Sequence, residues 1–316
     1  MSHRQSPEPS PRLRRCLLAV PASSMKMMTK AVTTEADAVF LDLEDAVTAG
    51  EKEAARKTAV TALKEMDWSG AGKTISLRVN GLDTSWTYRD LIDVLEAAGD
   101  RIDTIILPKV GGPEDLYTVD CLITQIAQAK GFAPPALEGL IETAAGAANL
   151  EAIARYNRDI GKPRLEALHF GAGDFAASIQ ARTVDIGGLN PDYPGDQFHA
   201  ILSRIVAACR ANGLVPMDSA FGDFGDPDGY TAAARRASSL GMAGKWAIHP
   251  SQIPLANAVF SPSEEEVNRA RGILEALDLA AAEGKGAAAY EGRMIDAANE
   301  RMARSVLAIH DKIMAR

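Results

Sequence analysis

Long apolar runs, a basic surplus and a patterned set of cysteines are all missing from this 316-residue sequence. No stretch reaches the roughly 18 to 20 apolar residues that a membrane-spanning helix needs, so no membrane partner is expected. Lysine and arginine number 34 against 42 aspartates and glutamates, a net charge of −8. A nucleic-acid-binding face needs a basic stripe that this balance does not supply, although a local basic pocket for a small anion remains compatible with it. The 3 cysteines, Cys16, Cys121 and Cys209, are odd in number and lack metal-type spacing. Each sits in an apolar run, which points to buried free thiols in a reducing compartment. The N-terminal MSHRQSPEPSPRLRR has no apolar core of the kind a secretory signal carries, so a disordered tail over 1–15 and a cytoplasmic location are expected. A glycine-rich dinucleotide fingerprint after the first strand is also absent, which weighs against an open doubly wound sheet.

What is present is a near-unbroken alternation of strands and helices. Short apolar runs at 16–20, 38–46, 74–80, 103–110, 137–143, 165–171, 214–219 and 244–250 read as strands. Continuous apolar character over so few residues is the mark of a parallel strand buried on both faces. Helical patterns follow at 23–34, 51–66, 86–97, 113–129 and 228–240, with another through CRANG at 209–213. Eight β–α units in about 250 residues match a closed (β/α)8 TIM barrel, here over 16–260. From Ser261 on, the pattern changes. Ser263 followed by Glu266 is a capping box opening a helix, and a Gly/Ala-rich joint, an extended piece at Tyr290 and a terminal helix complete a C-terminal helical lid or arm over 261–316.

The polar residues gather where the expected strands end. Strand two ends in Asp42, Glu44 and Asp45, strand three in Arg78 and Asn80, and strand four in Lys109. Strand five gives Glu142, strand six Asp174, strand seven Asp218 and strand eight His249. Helix capping accounts for an Asp at such a place but does not select Arg78 or Lys109. Glu142 and Asp174 are therefore either caps or neighbouring acids that share a cation, and with open coordination positions that cation is Mg²⁺, with Mn²⁺ as the alternative. An acid pair flanked by Arg and Lys suits an anionic substrate chelated to a metal. Asp296, on the C-terminal element, reads from the sequence alone as a surface helix acid, and His249 is assigned no chemistry.

The motifs FLDLEDAV (40–47), RVNGLDT (78–84), ILPKV (106–110), LIETAAG (140–146), FGAGDFAAS (170–178), FGDFGDPDGY (221–230), GKWAIHPSQI (244–253), VFSPSEEEV (259–267) and GRMIDAA (292–298) follow one another nearly to the C-terminus. Through them the chain resembles the citrate lyase β-subunit-like (HpcH/HpaI aldolase) superfamily, most closely its malyl-CoA/β-methylmalyl-CoA lyase branch. The resemblance implies Mg²⁺ on Glu142 and Asp174, a CoA thioester and a 2-oxoacid as small-molecule partners, and a homotrimer or hexamer. It implies that Arg78 holds the oxoacid, that Glu44 and Asp45 bind metal-coordinated waters, and that Asp296, on a lid from a neighbouring subunit, is the acid/base. For the CoA thioester it implies Ser24 and Lys30 near the phosphates, and Gly173, Ala247, Ile248, Pro250 and Leu255 along the path. The reaction implied is reversible cleavage of malyl-CoA to acetyl-CoA and glyoxylate. A malyl-CoA thioesterase, a citramalyl-CoA lyase and a non-catalytic citrate-lyase-like subunit are the alternatives. Two departures stand out: PASSMKMMTK carries Ala22 where relatives have glycine, with Lys26 as a substitute anion contact, and the loop Asn190–Phe198 is short.

Overall fold

The computed structural model describes residues 12–315 with the exception of 191, 192 and 194. Eight parallel strands close into a barrel: β1 Cys16–Pro21, β2 Ala38–Asp42, β3 Thr74–Arg78, β4 Thr104–Leu107, β5 Ala136–Ile141, β6 Leu165–Phe170, β7 Val215–Asp218 and β8 Gly244–Ala247. Each lies beside the next in the chain, and β1 closes the ring on β8 with Leu17 opposite Trp246. That closure excludes the doubly wound alternative. Here the interior is packed by Leu17, Ala38, Phe40, Ile106, Leu140, Ala167, Val215, Met217 and Trp246. Burying each large side chain of this set contributes about 1.5–3 kcal/mol before conformational entropy is subtracted.

The intervening helices include Met25–Val32, Lys52–Glu65, Thr87–Ala98, Pro113–Lys130, His199–Asn212 and Pro227–Leu240. Their starts follow local chemistry: Ser24 accepts the Met27 N–H, and Asp226 accepts the Gly229 N–H ahead of Pro227. Among the described residues no helix is long and apolar enough to cross a membrane.

Three expectations need correction. The strands expected at 38–46, 103–110 and 244–250 end early, at Asp42, Leu107 and Ala247. In each case the chain leaves the sheet to place polar side chains at the barrel mouth. The tail expected over 1–15 is ordered from Arg12, where the described residues begin; residues 1–11 lie outside them. Arg12 pairs with Asp103 at 2.7 Å, Arg14 with Glu138 at 2.7 Å and Arg15 with Asp37 at 2.8 Å, so the basic run is bolted to acids at the strands' N-terminal ends. Cys16 and Cys209 are buried free thiols, but Cys121 is half-buried. Part of the Asn190–Phe198 loop lies outside the described residues; within the rest, Gln197 bonds to Gly188 and Asn190.

The chain divides into two compact units at Asn257/Ala258. In the second, Ser263 and Glu266 form the expected capping box on the helix Glu264–Ala282. The extended piece at Tyr290 is one strand of a hairpin, Ala288–Tyr290 with Arg293–Ile295, and the helix Ala297–Met314 follows.

Candidate active site

At the C-terminal mouth of the barrel, the place where this fold carries its chemistry, a fixed loop after β2 meets the ends of β3 to β6. Asp42 holds that loop by accepting the N–H groups of Glu44 (2.9 Å) and Ala46 (3.1 Å). Lys52 Nζ grips it from the far side through the carbonyls of Leu43 and Glu44, both at 2.7 Å, and Asn80 Nδ2 bonds Leu43 O at 3.0 Å. Glu44 and Asp45 are therefore presented by a rigid backbone.

Arg78, at the end of β3, is buried among acids. Its Nε and Nη2 take the two oxygens of Asp42 at 2.8 and 2.7 Å, a bidentate pair. Its Nη1 faces Glu44 at 2.9 Å and Asp45 at 3.3 Å. Below it lie the rings of Phe40 and Trp246, 5.5 and 5.6 Å from the guanidinium carbon, within cation–π range. Burial opposes the charge, but the three acids hold the guanidinium protonated, its pKa raised. Burial likewise pushes the Asp42 carboxyl up, and Arg78 more than reverses this.

Glu142 follows β5, and Asp174 lies in the first turn of the helix Ala172–Ser178 after β6. Glu142 Oε1 accepts the Lys109 N–H at 2.9 Å. The Lys109 ammonium bonds Glu44 Oε1 and lies 4.0 Å from Asp174 Oδ1. Burial pushes the Glu142 carboxyl up to about 8, helped by the negative charges of Glu44 and Asp174. The same cause, burial, raises Glu44. Glu44 Oε2 is buried without a hydrogen-bond donor, since Arg78 faces it off the hydrogen-bonding geometry. Glu142 and Asp174, with Glu44 beside them, repel one another, and Glu44 is incompletely satisfied. As they lie, no three acids, histidines or cysteines among the described residues are grouped to hold a metal ion, while their carboxylate oxygens are the donor type that Mg²⁺ takes.

The other expected residues are distributed as follows. Asp218 is not part of the mouth's acid set, because Lys245 takes it at 2.6 Å in a buried pair. His249 stacks on Phe224 and bonds Ser251. Ser24 is the cap of the helix Met25–Val32, whose exposed Lys26 and Lys30 lie one turn apart on one face. Ala247 is the buried end of β8, Ile248 is exposed, Pro250 opens a single 3₁₀ turn and Leu255 is half-buried on the helix Ile253–Phe260. Gly173 sits in the same turn as Asp174, facing Ile186. Asp296 belongs to the second unit, half-buried, where it caps the terminal helix by accepting the Ala298 N–H at 2.8 Å.

The sequence placed Lys109 at a strand end as a cation flanking the acid pair for an anionic substrate, a lysine where caps are usual being the signal; its bonds to Glu44 and Glu142 were not foreseen. Gly171, which leaves room for the Glu142 carboxylate, and the Phe40–Trp246 platform under Arg78 gave no signal distinct from ordinary packing.

Comparison with known proteins places this mouth in a family. The HpcH/HpaI aldolase/citrate lyase family matches residues 15–250, and the chain belongs to it. Across an alignment of 325 positions spanning all of both chains it is 45% identical to a Cereibacter sphaeroides protein named L-malyl-CoA/beta-methylmalyl-CoA lyase. It is 34% identical to the (3S)-malyl-CoA thioesterase of the same organism, over 95% of this chain and 96% of that one. Among solved structures, CitE from Mycobacterium tuberculosis in complex with magnesium, acetoacetate and coenzyme A superposes with a TM-score of 0.76 at 27% identity, over 96% of this chain and all of that one.

Proposed function

We propose that this protein is a Mg²⁺-dependent carbon–carbon lyase that cleaves (S)-malyl-CoA to acetyl-CoA and glyoxylate, with β-methylmalyl-CoA yielding propionyl-CoA as a second substrate. The observation that carries this reading is the convergence of Glu44, Glu142 and Asp174 beside the fixed charge of Arg78 at the barrel mouth. Full-length similarity to the Cereibacter lyase supports it.

Glu142 and Asp174 would hold the metal, with Glu44 and Asp45 placed to accept from its waters. When bound, Mg²⁺ supplies Lewis-acid polarisation of the oxoacid oxygens. Arg78 is aimed into the same space by Asp42, Phe40 and Trp246, so it adds positive charge where the aldehyde oxygen of glyoxylate develops, without reorganising. In the cleavage direction the substrate hydroxyl loses its proton and the bond between the carbinol carbon and the thioester α-carbon breaks. Its electron pair passes to the thioester enolate, which takes a proton to become acetyl-CoA. Asp296, from a neighbouring subunit of a homotrimer or hexamer, is the residue we assign to take the hydroxyl proton or to return one to the enolate. Lys26 and Lys30, exposed on one helix face, supply charge for the CoA phosphates.

The second reading is a malyl-CoA thioesterase, favoured by the thioesterase relative at 34% identity. In it water attacks the thioester carbonyl and releases malate and CoA. Incubation of the purified protein with malyl-CoA and Mg²⁺, with products identified by mass, separates the two. Acetyl-CoA with glyoxylate is the expected result; malate with free CoA overturns the lyase in favour of the hydrolase.

A further inference from the structure

Lys109 stands in the left-handed region, with φ 53°, where a residue with a side chain persists only if its surroundings hold it. Two bonds hold this one, and both go to acids of the site. Its N–H donates to Glu142 Oε1 at 2.9 Å, and its ammonium donates to Glu44 Oε1. The ammonium also lies 4.0 Å from Asp174 Oδ1. Carboxylates from the loops after β2, β5 and β6 thus share one lysine, whose positive charge is the nearest compensation for their repulsion. Only a part of the side chain reaches solvent, so water screens this interaction weakly.

We propose that the Lys109 ammonium is a built-in counter-ion of the Glu44–Glu142–Asp174 cluster, and that it competes with the divalent cation for those carboxylates. The inference rests on the metal reading above and adds a regulator of its affinity. Without metal, Lys109 keeps three acids from repelling one another apart. With metal, the same charge opposes the incoming cation and keeps binding weak and exchangeable. A merely structural lysine would affect stability alone; a competing one makes metal binding tighter when it is removed.

The test uses the full-length chain stripped of metal by a chelator, with Mg²⁺ and Mn²⁺ titrated calorimetrically into wild type, Lys109→Gln, Lys109→Met and Lys109→Arg. Removing a unit charge about 4 Å from a metal ligand is expected to tighten Mg²⁺ binding about tenfold or more in the neutral variants. Their metal-free melting temperature should fall and recover towards wild type on adding Mg²⁺, while Lys109→Arg should stay near wild-type affinity. Two neutral variants are included so that misfolding of one leaves the other to decide. Unchanged or weaker Mg²⁺ binding in a folded neutral variant overturns the inference while leaving the metal reading intact. Absence of Mg²⁺ and Mn²⁺ uptake by wild type overturns the metal reading and this inference together.

Discussion

A β-carbon on Gly171 would overlap the carboxylate of Glu142. It would lie 2.6 Å from Glu142 Cβ and 3.2 Å from its Cδ, and closer still to Oε2. The strand-end glycine is what lets a buried glutamate stand upright at the mouth of β5. Because the clash reaches the near end of the side chain as well as the carboxylate, rotation about the outer bonds does not relieve it. Gly171→Ala should therefore displace Glu142 and lower Mg²⁺-dependent turnover by more than about tenfold, the scale on which small misplacements of reacting groups act. Steady-state kinetics at saturating and limiting Mg²⁺ checks this, and wild-type turnover in the variant would separate Gly171 from the site.

Glu142 also places a cost on the fold. Its carboxyl is pushed from an ordinary 4.5 up to about 8, first by burial and then by Glu44 and Asp174. Between those two values the folded chain binds a proton that the unfolded chain has released, so metal-free stability falls as pH rises through this window. Glu142→Gln cannot ionise and should lose that slope. At pH 8 with chelator present it should be more stable than wild type by on the order of 1 to 3 kcal/mol, while its Mg²⁺-dependent turnover is abolished. Urea unfolding at pH 5 and pH 8 measures the difference; equal slopes in the two proteins would remove the proposed strain.

The barrel was legible because its strands are short apolar runs separated by amphipathic helices, and closure follows from eight of them. The site was legible as a list of strand-end acids and cations, because Arg78 and Lys109 are residues that capping does not select. The partners were not. From sequence, Asp42 belonged with Glu44 as a mouth acid, yet it is consumed by Arg78. Asp218 belonged there too, and it is consumed by Lys245 from the neighbouring strand. Which acid is neutralised depends on register across strands far apart in the chain, and that is fixed only when the barrel closes. The RLRR run was hidden for the same reason: its acids lie 22 to 154 residues away.

Arg78 is held by two planar hydrogen bonds to Asp42, which need a guanidinium, and its flat group lies over two aromatic rings. Lysine offers a point charge that cannot bridge Asp42 while facing Glu44. Arg78→Lys should lower kcat/KM by about 10²- to 10³-fold, the usual effect of removing one preorganised stabilising group. Because Glu142 and Asp174 are unchanged, Mg²⁺ uptake should persist. Kinetics paired with calorimetry tests this, and a variant that keeps wild-type kcat/KM would exclude Arg78 from the reacting oxygen.

Beneath the mouth, a second charge network, joined to the Arg78 platform through Trp246, should govern stability. Glu138 Oε1 pairs with Arg14 at 2.7 Å, and Oε2 lies 2.8 Å from His169 Nε2. The Trp246 indole N–H donates to His169 Nδ1 at 2.9 Å, so Nδ1 is the acceptor and Nε2 carries the proton donated to Glu138. Burial pushes the Glu138 carboxyl up, but the Arg14 charge and the His169 bond outweigh it and hold the group at about 2. A depressed acid contributes stability that is fully present above its unfolded value of 4.5 and is lost as pH falls from there towards about 2. Glu138→Gln leaves the buried Arg14 with Glu166, 2.7 Å away, as its remaining acid, and should destabilise the chain by about 1 to 3 kcal/mol at pH 7. The gap between variant and wild type should narrow steadily below pH 4.5, because wild type then loses the same interaction. Denaturant unfolding across pH 3 to 7 follows the gap directly. A constant gap over that range would mean that Glu138 stabilises the barrel by packing and not by charge.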